Sequence, residues 1–198
     1  MFICRGRMPM VLTVSGIPAE MRLQQLLTAV HLDKWLQEEL FQFQWWFLLG
    51  LYILTVAAWW KMLNKQRLPE IILYAVLTTI ITMGIDEYGI ELTLWTYPVC
   101  ILPIFPVITA INLIALPTCF SIAYQRFPAW KSFACASILI AGVLAFVLEP
   151  LLAWANLYQL ITWQYYYSFL LYITIALFIR WSVITILDIA ARAQGHPD

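Results

Sequence analysis

Five long apolar runs separated by short connections dominate this 198-residue chain and leave few folds open to it. A helix needs roughly 20 predominantly apolar residues to cross about 30 Å of hydrocarbon. The first run spans about 44–60 and reads QWWFLLGLYILTVAAWW, with tryptophan at both rims, where interfacial belts form. The second covers about 69–85 and begins at Pro69, a residue suited to the first helical turn. The third, about 100–125, contains Pro103, Pro106 and Pro117. Each proline removes a backbone donor, which predicts a kinked or partly unwound helix there. The fourth and fifth cover about 131–149 and 165–186.

Composition supports the same reading: 63% of residues are hydrophobic and only 11% charged. Soluble domains are about 45–50% apolar and about 25% charged, so this chain could not cover its surface in water. The predicted fold is all-α: a polytopic helical membrane protein with about five transmembrane helices over 42–190. Net charge is zero, and nothing points to a nucleic-acid partner.

Basic residues near the span ends predict orientation. Lys61, Lys65 and Arg67 lie between the first two spans, Arg126 and Lys131 between the third and fourth, and Arg180 and Arg192 near the C-terminus. The connection 85–98 carries Asp86, Glu87 and Glu91 without a cation, and 150–164 carries no charge. The alternation predicts a multi-pass cell-membrane protein with a cytoplasmic C-terminal tail (191–198) and the N-terminus outside. Arg5, Arg7, Arg22 and Lys34 run against that placement, though most lie far from the first span.

Within the N-terminal extension 1–41, Leu23, Leu26, Leu27, Val30, Trp35, Leu36 and Leu40 fall close to one helical face. They predict an amphipathic helix on the outer membrane surface over about 18–41. The first fifteen residues lack the long apolar core and cleavage site of a signal peptide and read as an extension. In the tail, Asp188 and Arg192 stand four apart and are expected to pair.

Two stretches resemble one another. Asp86 is followed nine residues later by Trp95, and Glu149 nine residues later by Tyr158. Each acid is placed at the outer end of a span, ahead of an aromatic-rich connection. Glu149 precedes Pro150, which predicts that the fourth helix stops there. These acids are either solvated helix ends or chemically active groups. Desolvation beside apolar and aromatic surface disfavours the charged form of a carboxyl. A protonated carboxyl can act as a general acid, and aromatic faces can steady a cation. Asp86 and Glu149 are therefore the catalytic candidates. Glu87, Glu91, Trp95, Tyr97, Tyr158, Trp163 and Tyr166 are binding candidates in the same connections.

Two polar residues inside the spans complete the candidates. Asn112 is expected to bond a neighbouring helix or a freed carbonyl, or else a ligand. Arg180 either snorkels to the membrane surface or pairs with a carboxylate inside the bundle. His31 and His196 have no partner at metal spacing, and Cys4, Cys100, Cys119 and Cys135 form no C-x-x-C. No metal site or cofactor is expected, and no nucleotide-binding or nucleophile motif is present.

Three stretches carry a resemblance: LWTYP at Leu94–Pro98, AYQRFPAWKSF at Ala123–Phe133, and FVLEPLLAWANLYQLITWQYYYSF at Phe146–Phe169. With the span pattern they resemble, from about Trp45 to Leu187, an uncharacterised family of small polytopic membrane proteins of spore-forming Gram-positive bacteria. The resemblance implies a bacterial cell-membrane protein with no assigned activity. A fainter likeness links the chain to membrane carotenoid cyclases and hydratases, which set carboxylates at outer helix ends and protonate a polyene double bond. It would carry over to Asp86, Glu149, Trp95 and Trp163, although the Pro-x-Glu-Glu element of those cyclases is absent here.

The leading expectation is a non-enzymatic scaffold or sensor whose outer connections meet a protein partner, a lipid or a small hydrophobic ligand. A substrate-binding component of a transporter and an isoprenoid-type enzyme are the alternatives.

Overall fold

A computed structural model describes residues 18–102 and 115–194. The described chain is mostly helical, with short connections and one short strand pair between the helices. In order come α1 (Ala19–Lys34), α2 (Phe43–Met62), α3 (Leu68–Glu91), β1 (Trp95–Thr96), α4 (Leu116–Arg126), α5 (Trp130–Val143), α6 (Glu149–Trp154), β2 (Gln159–Leu160) and α7 (Tyr165–Gln194). Four helices are long and apolar enough to cross a membrane: Phe43–Met62, Lys65–Glu91, Trp130–Trp154 and Tyr165–Ala193. The third predicted span is described only from 115 onward, where Pro117 sits in the first turn of the eleven-residue α4. Cys100–Leu102 are not helical, and Pro103, Pro106 and Asn112 lie outside the described residues.

The helices end later than the sequence predicts. α3 does begin at the proline, with Pro69 in its first turn, but it runs past Ile85 to Glu91. α7 continues to Gln194, so part of the predicted tail is helical, and Arg192 pairs there with Asp188 at 2.7 Å. Both of those side chains are exposed, and such a pair contributes little. The fourth helix does not stop at Glu149. Residues Leu144–Leu148 form a π-turn in which the Glu149 N–H donates to the Leu144 carbonyl, and α6 then carries the helix to Trp154. A proline ring collides with the carbonyl four residues back, and the π-turn shifts the hydrogen-bond register ahead of Pro150. Helix continuation is tolerated for that reason.

α3 packs against α4 and α7, and α5 packs against α7. Ala141, Ala145 and Ala176 are wholly buried, and small side chains let helices approach closely where no hydrophobic drive separates protein from lipid. α2 leans on α4, and only 6% of its apolar window is covered by protein. Phe43, Trp46, Phe47, Leu51 and Leu54 are exposed on it, as expected of a helix solvated by lipid tails.

α1 forms where predicted, but its apolar face is narrower. Leu23, Leu26, Leu27 and Val30 make an exposed stripe. Trp35 instead donates its indole N–H to the Cys100 carbonyl at 3.2 Å. A second π-turn, Trp35–Glu39, breaks the α-helical period, so the residues beyond Lys34 leave the stripe.

The basic connections and the two aromatic-rich connections lie at opposite ends of the bundle, with Lys34 at the aromatic-connection end. At one end Asn64 and Gln125 join the α2–α3 and α4–α5 connections, through the Asn64 N–H donating to Gln125 Oε1 at 3.0 Å. At the other, β1 and β2 pair antiparallel, with Trp95 opposite Leu160 and Thr96 opposite Gln159.

Candidate functional site

The two similar stretches follow the same backbone path. α3 closes with the Thr93 N–H donating to the Ile90 carbonyl and the Leu94 N–H to the Gly89 carbonyl. α6 closes with Asn156 donating to Ala153 and Leu157 to Leu152. Both are Schellman closures, and the left-handed residue of each, Thr93 (φ 53°) or Asn156 (φ 56°), lies seven residues past its acid. Matching closures followed by strands that pair bring the two aromatic connections together. Asp86 and Glu149 are thereby each set about one and a half turns back inside a helix, not at a helix end.

Both acids are buried, Asp86 to 6% exposure and Glu149 to 1%, so neither is a solvated helix terminus. Trp95 Nε1–H donates to Asp86 Oδ1 at 2.9 Å, and the Tyr97 hydroxyl donates to the same oxygen at 2.7 Å. Tyr172 donates its hydroxyl to Glu149 Oε1 at 2.5 Å, and Ser168 donates to Oε2 at 3.1 Å. Trp163 Nε1–H donates to Ser168 Oγ at 3.0 Å. The two networks touch through rings: Trp95 meets Trp163 edge-on at 5.2 Å, and Tyr97 lies against Tyr158 at 5.3 Å. Among the described residues Glu149 makes no ion pair, so hydroxyl groups provide its polar contacts.

These groups line a partly open cavity of about 30 Å³, with Asp86, Trp95, Tyr97, Tyr158, Trp163 and Tyr172 in its wall. Glu149 stands one hydrogen bond behind its wall, on Ser168 and Tyr172. This is room on the scale of one or two waters, against roughly 150 Å³ for a cavity that takes a benzene ring. A second cavity of about 280 Å³ lies beside it, between the α1–α2 segment and the strands. Tyr97 lines both.

Of the predicted binding residues, the structure brings Trp95, Tyr97, Tyr158 and Trp163 to Asp86. Glu87, Glu91 and Tyr166 are not among the lining residues; Glu87 is half-buried, and Glu91 and Tyr166 are exposed. A helix turns about 100° per residue, so Glu87 and Glu91 point away from the face that Asp86 presents. Asn112 lies outside the described residues. Arg180 belongs to the opposite end, two helical turns beyond Tyr172; it is buried rather than snorkelling, and among the described residues it pairs with no carboxylate. It is 3% exposed and donates to the backbone carbonyls of Phe127 (2.8 Å) and Pro128.

Sequence reading missed Thr82, Ser168, Tyr172 and Glu39. The first three carry a signal, since Thr82 and Asp86 are four apart in α3 and Ser168 and Tyr172 four apart in α7. Polar pairs at that spacing share one face of an apolar helix. Glu39, which is outside the apolar face predicted for the N-terminal helix, is buried.

Burial raises the Tyr97 phenol well above its ordinary range, and the adjoining Asp86 carboxyl adds to the rise. Tyr158 is raised chiefly by burial, then by Glu149 and Asp86. The folded state holds both protons more tightly than the unfolded chain does, so their contribution to stability is intact below pH about 10 and lost above it. Thermal stability in detergent is expected to decline between roughly pH 10 and 11, and less steeply in Tyr97→Phe. A flat profile in wild type, or an equal decline in the variant, would contradict this reading of the site.

Compared with known proteins, the chain matches no protein-family model, no curated protein and no solved structure.

Proposed function

We propose that this chain is a non-enzymatic sensor of the bacterial cell membrane, and that its receptor element is a small-cation site between Asp86 and Glu149. The observation that carries the reading is the convergence of two buried carboxyl networks and five aromatic side chains on a water-sized cavity. Ionisable groups inside a membrane protein are costly, and where they persist they serve function by default. Carboxyl oxygens and the electron-rich faces of indole and phenol rings all favour positive charge.

Size and bonding weigh against the enzyme reading. A general acid must reach the atom it protonates, whereas Asp86 and Glu149 are held by protein donors. Ligand pockets for molecules of polyene scale occupy about 300–1,000 Å³. With the basic end in the cytoplasm, the aromatic end faces outward and samples external ions. The exposed Leu23–Leu26–Leu27–Val30 stripe suits a helix resting in the lipid interface beside it.

The test is thermal stability of the purified protein in mild detergent, titrated with ammonium, sodium, potassium and tetrapropylammonium chlorides. A small cation is expected to raise the transition in a saturating manner, by about 2.7 kcal/mol at a hundred times its dissociation constant. Tetrapropylammonium, which is too large, should have no such effect. Glu149→Gln and Asp86→Asn should abolish the response. Equal shifts with all four salts, or an undiminished response in both variants, would sink the proposal.

A further inference from the structure

The larger cavity already holds an ammonium group, and it belongs to the chain itself. Lys34 Nζ stands 3.1 Å from Glu39 Oε1 and donates to the Pro98 carbonyl at 3.3 Å. Glu39 is the buried partner, with its side chain 9% exposed, whereas that of Lys34 is 46% exposed. The other Glu39 oxygen is fixed by the Cys100 N–H at 3.2 Å. The carboxyl is thus anchored by the fold, while the amine reaches it from solvent on a flexible stem. The π-turn that ends at Glu39 turns this acid inward, as the π-turn before Glu149 does for that residue.

Tyr97 is the wall shared by the two cavities, and its hydroxyl is already bonded to Asp86. A route from the larger cavity toward Asp86 would pass Glu39 and then cross Tyr97. We propose that the larger cavity is an entry station for primary ammonium ions, kept occupied by the Lys34 side chain until an incoming ion displaces it, with Tyr97 as the gate to Asp86. This rests on the small-cation reading and narrows it to a ligand class. A primary ammonium offers N–H donors to Glu39 and the Pro98 carbonyl in the manner of Lys34, and a methylammonium ion is small enough to follow. The exchange breaks no covalent bond: one ammonium leaves Glu39 as another arrives.

Methylammonium chloride titrated by calorimetry into the detergent-solubilised full chain tests it. A half-exposed ion pair is a weak competitor, so Lys34→Met is expected to tighten binding only about two- to fivefold. Lys34→Arg, which restores a tethered cation, should return it to the wild-type value. Lys61→Met, at the opposite end of α2, should leave it unchanged. If Lys34→Met binds no more tightly than wild type while Glu149→Gln loses binding, the entry station is wrong and the inner cation site stands. Binding by neither wild type nor Lys34→Met overturns both. Sodium matching methylammonium in Lys34→Met overturns the ligand class.

Discussion

Arg180→Ala is expected to lower the stability of the protein by about 3–5 kcal/mol, among the largest losses that one substitution can cause here. The guanidinium is 3% exposed and holds the α4–α5 connection by bonding the Phe127 and Pro128 carbonyls. Phe133, Trp130 and Tyr124 surround it, with the guanidinium carbon 4.5, 4.9 and 5.5 Å from their ring centroids. Hydrogen bonds to a charged group are worth about 1.5–3 kcal/mol each, and a desolvated cation–π contact about 2. Against these stands the cost of burying the charge, to which the Nε–H adds, having no partner among the described residues. Alanine would recover that cost but leave two carbonyls without a donor in a low-dielectric setting. Arg180→Lys should lose roughly half as much, because one ammonium cannot reach two carbonyls while stacking on the rings. Unfolding in detergent, followed by tryptophan fluorescence, measures both variants. Losses under about 1 kcal/mol for alanine, or lysine equal to arginine, would show that the connection is held by other contacts.

What the sequence made legible follows from how far each signal extends. The positions of four of the five predicted spans are readable because hydrocarbon thickness imposes one length on every crossing helix. Helix ends are not, because the rules for proline describe a simple α-helix. At Pro150 the structure inserts a π-turn and keeps the helix going, and nothing in LAFVLEP announces it. That error also misplaced the acids. Read as helix ends, Asp86 and Glu149 looked solvated; about one and a half turns inside, they face the bundle. The spacing that paired them with Trp95 and Tyr158 was informative in an unexpected way. Its physical content is the shared Schellman closure seven residues on and the strand pairing that follows, and of the two spaced pairs only Asp86–Trp95 is hydrogen-bonded among the described residues. Glu149 takes its partners from α7, 19 and 23 residues away, a contact that no local pattern can specify. Glu39 and Lys34 were missed for a related reason: five residues apart on a regular helix they diverge, and the π-turn brings them together.

Gly89→Ala is expected to cost about 2–4 kcal/mol, in the opposite direction to the usual effect of that exchange in a helix. Alanine normally gains close to 1 kcal/mol over glycine in a helix interior. At Gly89 the added methyl would overlap the six-membered ring of the Trp95 indole, which lies directly across the helix. The indole has nowhere to retreat. It is 6% exposed, meets Trp163 edge-on, and is tethered to Asp86 through Nε1. Shifting it incurs an overpacking penalty of about 1–3 kcal/mol and weakens a carboxyl hydrogen bond worth about 1.5–3. Gly84, five residues earlier in α3, is the internal control: a methyl there meets nothing within 4 Å. Gly84→Ala should be neutral or stabilising by up to about 1 kcal/mol. In a Trp95→Phe background the smaller ring leaves room, and Gly89→Ala should then cost much less, a coupling that a double-mutant cycle reads directly. Equal effects of the Gly84 and Gly89 exchanges, or additivity with Trp95→Phe, would mean that the indole does not lie over Gly89. The wall of the Asp86 cavity would then have to be built differently, because the position of that ring is what aligns its N–H with the carboxyl.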